Sequence, residues 1–184
     1  MALRYFTASI GLFAAGVFLS MTAGAGDQPQ WGERYTRNMV SPETNTPVAF
    51  DWKSGEHVRW SAPLGGSYSA PIIAQGKVFT GSNNAEPMDP RHQGDRGVML
   101  CLNEKDGSLI WQLVSPRIGG DDYLDWPAVG MCSEPTIIGD RVYTVTNRSE
   151  VVCLDINGMA NGNDGPYQEE GRHMTPADQP AMAP

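Results

Sequence analysis

The sequence predicts an all-β fold, on three observations. From His57 onward, short runs of β-branched and aromatic residues are separated by Gly, Asp and Asn. Two of the resulting hairpins are copies of each other. No stretch beyond residue 25 carries the 3.6-residue apolar period of a helix.

Taken in order, residues 1–25 read as an export leader. Arg4 is the only charge before Asp27, Tyr5 to Ser20 is almost wholly apolar, and Ala23-Gly24-Ala25 offers the small residues a signal peptidase needs. The apolar core falls short of the roughly 20 residues that span a bilayer, so cleavage near Gly26 is expected rather than a retained membrane span. No Cys lies beside the cut for lipid attachment, and the expected location is periplasmic or secreted.

Residues 26–56 are rich in Pro and polar side chains and follow neither apolar period. They are expected to form an irregular strap, with some of Trp31, Tyr35 and Trp52 docked on the domain that follows. Residues 57–156 carry the strands. EHVRWSA, residues 56–62, reads as an outer strand. Predicted strands then cover about 70–74, 77–82, 97–102 and 108–114, the first two joined at Gln75-Gly76, where glycine supplies a positive φ. A second hairpin turns at Gly139-Asp140, and its second strand passes through Arg148-Ser149 to a third, giving a meander over residues 135–155. Residues 157–184, rich in Gly, Asn, Asp, Met and Pro, show no strand-like run and read as a long insertion or a truncated tail.

Ser69, Pro71, Val78, Phe79 and Thr80 recur as Ser133, Pro135, Val142, Tyr143 and Thr144, each 64 positions on, and Cys101-Leu102-Asn103 recurs as Cys153-Leu154-Asp155, 52 positions on. The first copy therefore holds an insertion within NAEPMDPRHQGDRG, between its second and third strands. Repeated four-stranded units of this size predict a partial β-propeller: one four-stranded blade, most of a second, and one extra outer strand. A ring takes at least about four blades of about 40–50 residues, so further blades of the same chain are the expected partners.

The formal charge of −8 argues against a nucleic-acid partner, which needs basic patches. Export would permit disulfides, but Cys101, Cys132 and Cys153 are odd in number and none sits at CxxC spacing. Cys101 and Cys153 read as small apolar strand residues at equivalent core positions.

CLNEKDGSLIW, residues 101–111, resembles the tryptophan-docking motif of pyrroloquinoline-quinone (PQQ) repeat propellers, A-x-D-x-x-T-G-x-x-x-W. Gly107 and Trp111 match; Cys101, Asn103 and Asp106 stand in for Ala, Asp and Thr. KSGEHVRW, ending at Trp60, is a looser echo, and Asp155-Ile156-Asn157-Gly158 begins a third copy without its Trp. In such a motif Asn or Asp caps the turn, Gly closes it, and the indole packs between blades. With SPETNTP, DPRHQGDRGVMLCLNEKDGSLIWQLV and CLDINGMANGNDGPY, the segment is similar to the N-terminal part of large exported PQQ-like propeller proteins of planctomycete-type bacteria.

That resemblance implies two functional classes, because the superfamily holds quinoprotein dehydrogenases, with PQQ and calcium on the axis, and cofactor-free assembly scaffolds. The family's catalytic Asp, calcium ligands and adjacent cysteines match nothing here, so no catalytic, cofactor or metal residue is assigned. Two polar loops are candidate interaction sites: Arg91, His92, Asp95 and Arg96 in the insertion, and Asp121, Asp122 and Asp125 between the copies, where Trp126 is expected to seat between blades. His92 has no partner at metal-ligand spacing, and NGMANGNDG lacks the EF-hand pattern. The favoured expectation is an exported binding or scaffold module for a protein, glycan or small-molecule ligand. The second is part of a PQQ-dependent alcohol or sugar dehydrogenase whose active residues lie elsewhere.

Overall fold

The computed structural model describes residues 26–32, 34–66, 68–119, 123–162, 164, 181 and 182; the expected leader lies outside them. It is all-β, with two antiparallel sheets and no helix among the described residues. The first sheet is a meander of β1 (Ile72–Ala74), β2 (Lys77–Asn83), β3 (Arg96–Asn103) and β4 (Leu109–Pro116). The second comprises β5 (Thr136–Ile138), β6 (Arg141–Val145) and β7 (Val151–Asp155). A two-residue strand, β8 (Ala181–Met182), pairs with β4, where the tail was expected to hold no strand.

Turn chemistry fixes the registers. Gln75 and Gly76 take φ values of 53° and 74° between paired Ala74 and Lys77, the two positive values of a type I′ turn. In the second hairpin only Gly139, the first central residue, is positive, at 60°, as a type II′ turn requires. Each hairpin therefore keeps its twist and sends alternate side chains to opposite faces.

The two sheets stack front to back. On the front of the first, the cross-strand row Phe79, Cys101 and Trp111 is buried together with Met99 and Leu113. Against it lies the back of the second sheet, with Ile137, Val142, Val152 and Leu154. The repeat makes this contact heterologous, since Val142 and Leu154 are the counterparts of Val78 and Leu102 on the back of the first sheet. Tyr143, Val145, Val151 and Cys153, the counterparts of Phe79, Gly81, Met99 and Cys101, remain exposed on the front of the second. The expectation that both cysteines fill core positions thus holds only for Cys101, because no described element covers the surface around Cys153.

A repeated indole contact locks the stack. Asp51, Asn103 and Asp155, each 52 positions apart, accept a hydrogen bond on Oδ1 from the amide two residues on, at 2.9, 2.9 and 2.7 Å. Each turn then bends through a left-handed glycine, Gly55, Gly107 or Gly158. Trp60 lies on the second turn, its Nε1 donating to the Glu104 carbonyl at 2.8 Å; a Cβ on Gly107 would sit 2.5 Å from its ring. Trp111 repeats this on the third, donating to the Ile156 carbonyl at 3.0 Å, where a Cβ on Gly158 would sit 2.6 Å from the indole. Glycine is required twice over, by the backbone angle and by the approach of the ring.

Two expectations are corrected. Residues 56–62 form no strand: Glu56 makes an isolated bridge to Asp51. Burial still alternates, with Trp60, Ala62 and Leu64 packed on the back of the first sheet and Arg59, Ser61 and Pro63 exposed. A segment lying on a sheet's face stands a side-chain layer from its edges, so no ladder forms. The strap docks through its backbone, not its rings. Gln28 exchanges two hydrogen bonds with Ile73, and Pro29 accepts one from the Ile137 amide at 2.7 Å, while Trp31, Tyr35 and Trp52 are 49%, 77% and 73% exposed.

Trp111→Ala removes a side chain that is 3% exposed, and urea unfolding is expected to register a loss of about 3–5 kcal/mol. A loss typical of a surface substitution would contradict this packing.

Candidate functional site

The connections β2–β3, β4–β5 and β6–β7 all leave the sheets at one end, where both polar loops gather. Asp125 is their hub. Its side chain is buried, and Oδ2 accepts from the Ile118 amide at 2.8 Å and from Asn147 Nδ2 at 2.7 Å. Asn147 Nδ2 also reaches the Pro116 carbonyl, joining the second sheet to the end of β4. Arg117 Nε donates to the Asp125 carbonyl at 3.0 Å and stands 3.7 Å from Asp95. Asp95 Oδ2 in turn accepts from the Ala128 amide at 2.8 Å. A carboxylate satisfied by several donors holds the loops in one arrangement.

The insertion has its own anchor. Asn84 Nδ2 donates to the His92 and Gly94 carbonyls at 2.8 and 3.1 Å, closing residues 84–94 into a compact loop. Asp89 caps the Arg91 amide at 2.9 Å and pairs with the Arg91 guanidinium, the shortest contact being 2.6 Å, while His92 Nε2 lies 3.8 Å away. Hydrogen bonds from Arg91 hold the Asp89 carboxyl down, from an ordinary 3.8 to about 2. The arginine side chain remains 63% exposed, so the pair presents an oriented guanidinium to solvent.

Most of the sequence-predicted residues converge on this end. Arg91, His92 and Asp95 sit on the insertion and Asp125 beneath it, whereas Arg96 begins β3 and donates from Nε to the Gln93 carbonyl. Asp121 and Asp122 lie outside the described residues. Trp126 is not seated between sheets but is 62% exposed, along with Tyr123 and Tyr68. Residues 123–128 hang from the polar hub rather than from an apolar pocket, so their rings stay at the surface. Sequence reasoning missed Arg117 and Asn147. The latter was within reach of the repeat, because Asn147 stands 64 positions after Asn83, whose Nδ2 donates to the Ala128 carbonyl.

The remaining motif residues are structural. Trp111 and Cys101 lie in the contact between the sheets, while Asn103 and Gly107 shape the turn on which Trp60 rests. Burial pushes the Cys101 thiol up to about 12, far from a reactive thiolate. The three cysteines are all free thiols.

No protein-family model matches the chain, and a search of curated proteins finds no significant match.

Because the Asp89 carboxyl is depressed in the folded loop, its contribution is full above the unfolded value of 3.8 and is lost as pH falls towards about 2. A carboxyl-carbon NMR titration is expected to place the Asp89 midpoint well below that of an exposed Asp, and Arg91→Met to move it upward. An ordinary midpoint in both proteins would contradict the pairing.

Proposed function

We propose that the chain is an exported binding or scaffold module, built as successive blades of a quinoprotein-like β-propeller. In this reading the polar loop end faces a protein, glycan or small-molecule partner. The observation that carries the architecture is the front-to-back stacking of equivalent sheets. A heterologous contact between copies leaves one unused front, and that front is filled by another copy of the same unit. The tryptophan lock at 51-residue spacing supports the same reading, since it is the element on which the resemblance to PQQ repeats rests.

The binding role rests on the loop end. Its polar network orders two long connections while Arg91, Tyr68, Tyr123 and Trp126 face solvent. An ordered rim of aromatic and charged groups is suited to recognition.

PQQ-type chemistry asks for more. Calcium takes about six to eight oxygen ligands, and among the described residues no three His, Cys, Asp or Glu side chains gather into such a set. No residue here is assigned to either group.

Two measurements test the proposal. With PQQ, calcium and a range of alcohols and sugars, the exported protein is expected to reduce no electron-accepting dye; turnover would overturn the binding-module reading in favour of a dehydrogenase. In a Cys132→Ser background, Cys153 in the native protein is expected to react with a thiol reagent far more slowly than in the unfolded chain. Equal rates would show the second front to be bare and remove the propeller reading.

A further inference from the structure

The strap begins with a contact that the folded sheets do not explain. The Gly26 nitrogen donates to Glu43 Oε1 at 2.6 Å. The next three residues fasten both sheets in turn. Asp27 Oδ2 accepts from the Gln75 amide at 3.1 Å, Gln28 pairs with Ile73 on β1, and the Pro29 carbonyl accepts from Ile137 on β5. Residues 27–29 thus staple the free edges of the two sheets, and Gly26 is the end of the staple. Immediately before it stands Ala23-Gly24-Ala25.

We propose that a signal peptidase cuts the Ala25–Gly26 bond and that the new α-ammonium of Gly26 pairs with the Glu43 carboxylate, clamping the staple. This rests on the export reading. In the hydrolysis, water adds across the amide: the C–N bond breaks, Ala25 keeps the hydroxyl as a new carboxylate, and the Gly26 nitrogen gains hydrogen to become an amine. An α-amino group with an ordinary pKa of about 8 is mostly protonated at neutral pH. The neutral amide donor at this position becomes a cation facing a carboxylate, and a charge-assisted hydrogen bond is stronger than a neutral one. A cut upstream would move the charge away from Glu43, and a cut downstream of Asp27 would remove the contact to Gln75.

The exported protein is expected to give an intact mass starting at Gly26. Processed protein is then compared with an uncut precursor retained by Ala23→Leu, each with and without Glu43→Gln, reading amide exchange at Ile73 and Ile137. Those amides donate to the carbonyls of Gln28 and Pro29. In processed protein Glu43→Gln is expected to speed their exchange roughly two- to five-fold, the scale of an exposed ion pair, and in the precursor to change nothing. Equal effects in both forms, or export with a different first residue, overturn the clamp alone. A chain that is never exported or never cut overturns the export reading and the clamp with it.

Discussion

The fold depends on one contact, an indole laid on the left-handed glycine of the next copy's turn. Trp60 on Gly107 and Trp111 on Gly158 are the same interaction made twice, each with the ring nitrogen donating to a backbone carbonyl of that turn. Its parts depend on each other. The Asx hydrogen bond shapes the turn, the positive φ exposes a bare α-carbon, and the ring covers that carbon while satisfying its only polar atom. A large flat side chain is thereby buried without an orphaned donor, so one residue links sheets that share no backbone hydrogen bond.

The wider architecture follows from the direction of that contact. The first copy gives Trp111 to the turn of the second and receives Trp60 from the segment that precedes it, so the contact has a direction and does not close as a pair. The back of the first sheet is covered by Trp60, Ala62 and Leu64, while among the described residues nothing covers Tyr143, Val151 and Cys153 on the front of the second. The strap supports the same stack from the edges, tying β1 to β5 through main-chain bonds that need no particular side chain. The polar connections at one strand end are thus free to vary, and the hub around Asp125 lies there.

Much of the fold was legible because it rests on local rules. Alternating apolar residues around Gln75-Gly76 and Gly139-Asp140 placed two hairpins, and the 64- and 52-residue offsets placed their copies. What failed depended on tertiary position. Residues 56–62 have the composition and burial period of a strand, but they lie across a face, and no sequence pattern distinguishes a face from an edge. Trp126 and some of Trp31, Tyr35 and Trp52 were expected to dock because of their size, yet all four are exposed, and the strap and the loop around Asp125 are held by backbone or polar contacts that composition does not reveal. In the loop end, Arg91, His92, Asp95 and Asp125 stood out as charges in polar connections, but Arg117 and Asn147 gain their importance only from the approach of the two copies.

Ring and glycine act as one unit, and a double-mutant cycle on Trp111 and Gly158 reads out their coupling. Gly158→Ala places a methyl group against the indole and strains a φ of 57°. Its destabilisation, measured by chemical unfolding of the native protein, is predicted to fall markedly when Trp111 is already Ala, leaving a coupling of about 1 kcal/mol or more. Strict additivity of the two substitutions would mean that the ring does not rest on that turn and that the sheets are joined by other contacts.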